Sequence, residues 1–234
     1  MTAENKTVDI TTENVKAGAL DAFLARPSTG ENLPCVIIIH EIFGLNDNIR
    51  EIARRFAREG FVALAVDLFS HGNRALCITR VVFNMMRNPL KSFSMYDLDG
   101  TAQFLQAQPG IDPTQLGVIG FCMGGGYALA FAVHSDQLRA ASIFYGRNPS
   151  PIESLERACP VVGSYGATDK MFSKQGLKMQ ETMQKFGRPV DVKIYPNVGH
   201  SFFNQGDKEV NREAAADAWK RTLDWFHQYL PQKA

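Results

Sequence analysis

Short runs that are apolar on both faces recur along this chain and alternate with helical stretches: "CVIIIH" (35–40), "FVALAV" (61–66), "LGVIGF" (116–121), "AASIFY" (140–145), "PVVGSYG" (160–166) and "VDVKIY" (190–195). A strand with one wet face alternates polar and apolar residues. A strand apolar on both faces must be covered from both sides, as a central parallel strand is covered by helices. Between the runs, "NDNIREIARRFAREG" sets Ile49, Ile52, Ala53 and Phe56 on one stripe and ends at Gly60, which suits a helix C-terminus. Residues 174–186 and 212–229 also read as helices, the latter with Ala215, Ala218, Trp219, Leu223 and Phe226 spaced for one buried face. The opening "VDITTENVKAGALDAFLARP" alternates around a turn-like NVKAG and predicts two antiparallel strands. The expected fold class is α/β, an open and mostly parallel sheet with helices on both faces. No repeat or linker divides the chain, so residues 1–234 read as a single domain, with 45% apolar residues to fill its core.

The charge pattern narrows the partners. With 25 basic and 24 acidic residues, the chain carries a formal charge of +1 and no basic stripe, so nucleic acid is not an expected partner. Its apolar runs are far shorter than the roughly 20 residues that span a bilayer, so no membrane partner is expected either. Residues 1–15 lack the pattern of a secretory signal, which makes the cytoplasm the expected location. Four cysteines without a CxxC pair suggest neither a zinc site nor a disulfide scaffold. No sticky strand edge or coiled coil stands out, so a monomer is expected.

Open sheets of this kind bind ligands beyond the carboxyl ends of their strands. Cys122 stands there, in "GFCMGGG", directly after one apolar run and directly before a helix. Glycines at 120 and 124 allow the tight turn that holds a nucleophile exposed, and the N-terminus of the following helix is expected to favour the thiolate. Asp169, in "YGATD", and His200, in "PNVGHSF", also follow strand ends. Nucleophile, acid and histidine in this order match the chain order of α/β-hydrolases. The imidazole takes the nucleophile's proton and returns it to the leaving group, while the carboxylate fixes the ring. "HEIFGLN" (40–46) follows the first central strand, at the place where such enzymes supply an oxyanion amide. The expected donors are the backbone N–H groups of Ile42 and Met123. Glu41 is near enough to the elbow to accept a hydrogen bond or proton from the thiol.

Together, "HEIFGLN", "GFCMGG", "GATD" and "GHSF" resemble the dienelactone hydrolase (carboxymethylenebutenolidase) family of α/β-hydrolases. The resemblance covers nearly the whole chain. It implies Cys122 as nucleophile, His200 as base and acid, Asp169 as orienting carboxylate, and Glu41 as the residue that holds the thiol until substrate arrives. No metal or organic cofactor is implied. In family members that cleave dienelactone, arginines bind the substrate carboxylate, one of them shortly after the catalytic histidine. Here Asn204 stands at that point, and an amide cannot supply the charged bidentate clamp. The segment expected to carry the second arginine offers Arg74, Arg80 and Arg87 without choosing among them. Loss of the clamp points toward neutral esters. Phe83, Met85 and Met86 in the same segment are expected to be packed.

The leading reading is therefore a cysteine hydrolase of small carboxylic esters or lactones, working through a thioester acyl-enzyme. The alternative is a non-catalytic relative that binds a small ligand and uses Cys122 as a redox-sensitive switch.

Overall fold

In the computed structural model, which describes residues 8–204 and 208–232, the first apolar run forms strand β3 (Leu33–Ile39), buried along its whole length. Residues 1–7, part of the polar segment read for a secretory signal, lie outside the described residues. β1 (Ile10–Ala17) and β2 (Leu20–Pro27) pair antiparallel as the opening pattern predicts, but residues 14–17 of the expected turn belong to β1 and the chain reverses at Gly18, which takes a φ of +64°. β4 (Val62–Asp67), β5 (Ile111–Phe121), β6 (Leu138–Phe144), β7 (Val161–Gly166) and β8 (Val190–Tyr195) follow. The sheet of described residues is ordered β1-β2-β4-β3-β5-β6-β7-β8. β2 joins β4 antiparallel, and every pairing from β4 to β8 is parallel. The chain leaves β3 toward β4 on one side and later returns to β5 on the other. This reversal opens a crevice between β3 and β5.

Helices α1 (Asp47–Arg58), α2 (Arg74–Arg87), α3 (Ser94–Gln106), α4 (Met123–His134), α5 (Lys170–Lys185) and α6 (Glu209–Tyr229) cover the sheet. Asn46 caps α1 by accepting the Ile49 N–H, and Ile49, Ile52, Ala53 and Phe56 are buried as their spacing predicts. Phe56 then packs on Trp219 and Phe226 of α6, at ring separations of 4.6 and 5.9 Å. Residues 123–133 of α4 are buried all round, which explains a helix without a polar face. No helix among the described residues is long and apolar enough to cross a membrane.

Residues 70–106 differ most from the sequence reading, which left them unassigned. They hold α2, a short 3-10 helix (Pro89–Lys91) and α3. α2 buries only Cys77 and Val81 and leaves Leu76, Phe83 and Met86 exposed, so its apolar residues encircle the helix and no single stripe reveals it. The expectation that Phe83, Met85 and Met86 are packed is thereby corrected. Phe83 is 58% exposed and Met86 60%, while Met85 is half-buried and reaches toward Gly126 of α4. α2 leans on its neighbours by a narrow face.

Candidate active site

β5 ends at Phe121 and α4 begins at Met123, so Cys122 alone makes the turn, at φ 54° and ψ −113°. A non-glycine residue in such a conformation costs roughly 1–3 kcal/mol and persists only where its surroundings enforce it. Two glycines let the backbone close in. A Cβ on Gly120 would lie 2.1 Å from the Gly124 carbonyl oxygen, and one on Gly124 would lie 2.3 and 2.4 Å from those of Ile39 and His40. The Cys122 N–H donates to the Phe144 carbonyl at 3.0 Å. The turn is thus fixed between the ends of β3 and β6.

Asp169 and His200 arrive from the neighbouring strand ends. His200 Nε2 lies 3.0 Å from Cys122 Sγ, and its Nδ1 lies 2.6 Å from Asp169 Oδ2. The other Asp169 oxygen accepts the Phe172 N–H at 3.3 Å, which caps α5 and starts that helix four residues before the expected 174. Capping and orienting are shared by one carboxylate. The imidazole sits against Tyr145 and Phe172, with ring centroids 4.9 and 4.6 Å away.

The thiol itself departs from expectation. Burial pushes its pKa up to about 11; the Met123 N–H hydrogen-bonds the sulfur and opposes this, while the Glu41 and Asp169 carboxylates push it up further. A thiolate favoured by the helix N-terminus is therefore corrected to a neutral thiol, because desolvation outweighs one amide.

Glu41, only 6% exposed, accepts a hydrogen bond from the Ser201 hydroxyl at 3.0 Å and another from the Tyr145 hydroxyl. Asn204 Nδ2 reaches the same Tyr145 oxygen at 3.5 Å, and Asn48 donates to Asn204 Oδ1 at 2.7 Å. Asn204 is engaged in this chain of contacts. Tyr145 and Ser201 both hold positive φ, 40° and 58°, and neither was singled out in the sequence. The adjacency of Ser201 to His200 in "GHSF" and the place of Tyr145 at a strand end were the available signals.

His40 was also missed. It is fully buried; its Nε2 accepts the Leu68 N–H at 3.1 Å, which leaves Nδ1 to donate to the Glu41 carbonyl at 2.5 Å. A carbonyl and the next N–H point opposite ways across a trans peptide, so this bond fixes the direction of the Ile42 N–H. Asp67 lies 3.4 Å from the same ring. Burial alone would raise its pKa, but hydrogen bonds from Arg74 and the Phe69 N–H hold its carboxyl well below the usual range. Arg74 is committed to Asp67 at 2.7 Å, and Arg80 lies over the Phe93 ring at 4.0 Å. Arg87 is exposed. Among the described residues, no three His, Cys, Asp or Glu side chains form a metal-ligand cluster.

Known proteins resemble this chain over most of its length. The profile described as "Dienelactone hydrolase family" matches residues 20–230. A protein of Saccharolobus solfataricus named "Putative carboxymethylenebutenolidase" is 34% identical over 242 residues, covering 88% of this chain and 93% of its own. One of the same name from Methylorubrum extorquens is 30% identical over 227 residues, covering 91% of this chain and 78% of its own. A crystal structure from Klebsiella pneumoniae subsp. pneumoniae, described as a "Putative Dienelactone Hydrolase", is 28% identical with a TM-score of 0.81, covering 94% of this chain and all of that one.

Two outcomes are expected from this geometry. Gly124→Ala forces a methyl into two backbone carbonyls and should lower unfolding free energy by about 1–3 kcal/mol or more in denaturant titration; unchanged stability would contradict the packing. The folded thiol's pKa, about 11, lies above its ordinary 9.0. Stability from the neutral thiol is thus complete below pH 9 and lost as pH rises through 11. The absorbance difference at 240 nm between the parent and Cys122→Ser should therefore show no thiolate at pH 8 and develop only in that window.

Proposed function

This chain belongs to the dienelactone hydrolase family, and from that premise we propose that it hydrolyses small carboxylic esters or lactones through Cys122, His200 and Asp169, by way of a thioester acyl-enzyme. The observation that carries the reading is the unbroken contact from Sγ to Nε2 at 3.0 Å and from Nδ1 to the Asp169 carboxylate at 2.6 Å.

The resting thiol is neutral, so its proton leaves only as the sulfur attacks. His200 Nε2 takes that proton while the C–S bond forms, and Asp169 stabilises the imidazolium. The carbonyl oxygen becomes an oxyanion and accepts the N–H groups of Ile42 and Met123. Met123 N–H already addresses the sulfur, and His40 fixes the peptide that carries Ile42 N–H. Collapse breaks the C–O bond, and Nε2 returns the proton to the leaving alkoxide. Water then gives a proton to the same nitrogen as it attacks the thioester; the C–S bond breaks and the sulfur recovers its proton.

Glu41, fastened by Ser201 and Tyr145, keeps negative charge beside the sulfur and so holds the thiol protonated until substrate arrives. The proposed setting is a cytoplasmic monomer needing neither metal nor organic cofactor. A redox switch at Cys122 would need a ready thiolate, and the raised pKa supports that alternative poorly.

Cys122→Ala should lower kcat/KM for p-nitrophenyl acetate by at least about 10³-fold, with an unchanged melting temperature. Parental activity in that variant would remove Cys122 from the mechanism.

A further inference from the structure

α2 turns its largest apolar side chains outward. Cys77 and Val81 are buried, whereas Leu76, Phe83 and Met86 are each more than half exposed. At 3.6 residues per turn these three fall within about 80° of arc, on the side of the helix opposite the buried pair. The inner side is well anchored: the Tyr127 hydroxyl of α4 donates to the Val81 carbonyl at 2.7 Å, and Met85 Sδ lies 3.5 Å from the Cβ that Gly126 lacks. The helix is therefore held in place with its apolar arc facing water.

The charge on this segment is one-sided. Residues 68–96 contain Arg74, Arg80, Arg87 and Lys91 but no Asp or Glu, in a chain whose charges otherwise balance. Arg74 is engaged by Asp67 at 2.7 Å. Arg80 and Arg87 flank the apolar arc by the same helical spacing, and both are exposed, as is Lys91. Among the described residues none of these three forms an ion pair, although Glu153 borders the same cavity as Arg87. Arg80 lies over the Phe93 ring at 4.0 Å, and Asp97, which acts on it through space, is bound to His71 at 3.0 Å. An apolar arc bordered by unpaired cations is the pattern of a helix that lies in a lipid interface.

We propose that the outer face of α2 docks on an anionic phospholipid surface, with Leu76, Phe83 and Met86 entering the headgroup layer and Arg80 and Arg87 meeting lipid phosphates. Charge complementarity selects this occupant. A second copy meeting the same face about a twofold axis would set cations against cations with no acid to offset them. A folded acidic partner would need a groove shaped to the helix, whereas a fluid lipid surface moulds itself to one. The inference goes beyond the acyl-transfer reading and does not depend on it. It revises the expectation of no membrane partner, which considered only spanning runs and a charge balance taken over the whole chain.

The test is co-sedimentation of the full chain with vesicles of phosphatidylcholine alone and of phosphatidylcholine mixed in equal parts with phosphatidylglycerol, at low salt. The parent should partition onto the mixed vesicles at least about tenfold more strongly than onto the neutral ones, and raised salt should weaken that binding. Arg80→Gln with Arg87→Gln should lower the partition by about 25-fold, roughly fivefold for each cation. Phe83→Ser with Met86→Ser should lower it by about tenfold or more through lost apolar burial. All four side chains are exposed, so both variants should keep the parental melting temperature. Arg139→Gln with Arg157→Gln removes two exposed arginines at the amino-terminal ends of β6 and β7, the far edge of the sheet from α2, and should leave binding unchanged. Equal binding to both kinds of vesicle, binding to neither, or an equal loss from the remote pair overturns the proposal. A dimer in sedimentation equilibrium that Phe83→Ser with Met86→Ser dissolves, in a chain that ignores both vesicles, overturns it by giving the face to a second copy.

Discussion

The site depends on one close approach, that of the first turn of α4 to the ends of β3 and β5. Backbone carbonyls of Ile39, His40 and Gly124 occupy space that any side chain at 124 or 120 would need. Removing two side chains brings the helix N-terminus down onto the sheet and forces Cys122 into its positive-φ turn. From this contact follow the direction of the sulfur, the amide of Met123 at its side and the nearness of the β3 loop. His200 and Asp169 need only extend beyond their own strands to complete the arrangement.

That compression also sets the electrostatics. The sulfur is partly withdrawn from water, and the desolvation raises its pKa more than one helix amide lowers it. Two carboxylates nearby act in the same direction. The resting sulfur is therefore protonated, and in the proposed mechanism its proton passes to the imidazole already in contact with it. A neutral, half-buried thiol resists oxidation and alkylation. Buried polar contacts around it are matched in pairs: Glu41 has two hydroxyl donors, and each nitrogen of His40 has a partner.

Much of this was legible in the sequence because it depends on local rules. Runs apolar on both faces disclosed the parallel strands, and GxCxG disclosed the elbow, since only glycine tolerates such approaches. Strand ends in the order Cys122, Asp169, His200 pointed to three side chains that the structure brings into contact. α2 was not legible, because Leu76, Phe83 and Met86 face solvent and obscure its period. The thiol's protonation was misjudged because burial is a property of the whole fold, whereas the helix dipole can be read from seven residues. Tyr145, Ser201 and His40 escaped notice because their roles come from partners distant in the chain.

The central claim is that a sulfur, and no other group, takes the acyl unit. Rapid acid quenching of the enzyme with p-nitrophenyl acetate, followed by peptide mass mapping, tests this directly. The account predicts one acetyl group on the peptide that contains Cys122, labile to hydroxylamine as a thioester is. An acetyl group mapped to any other side chain during turnover would contradict it.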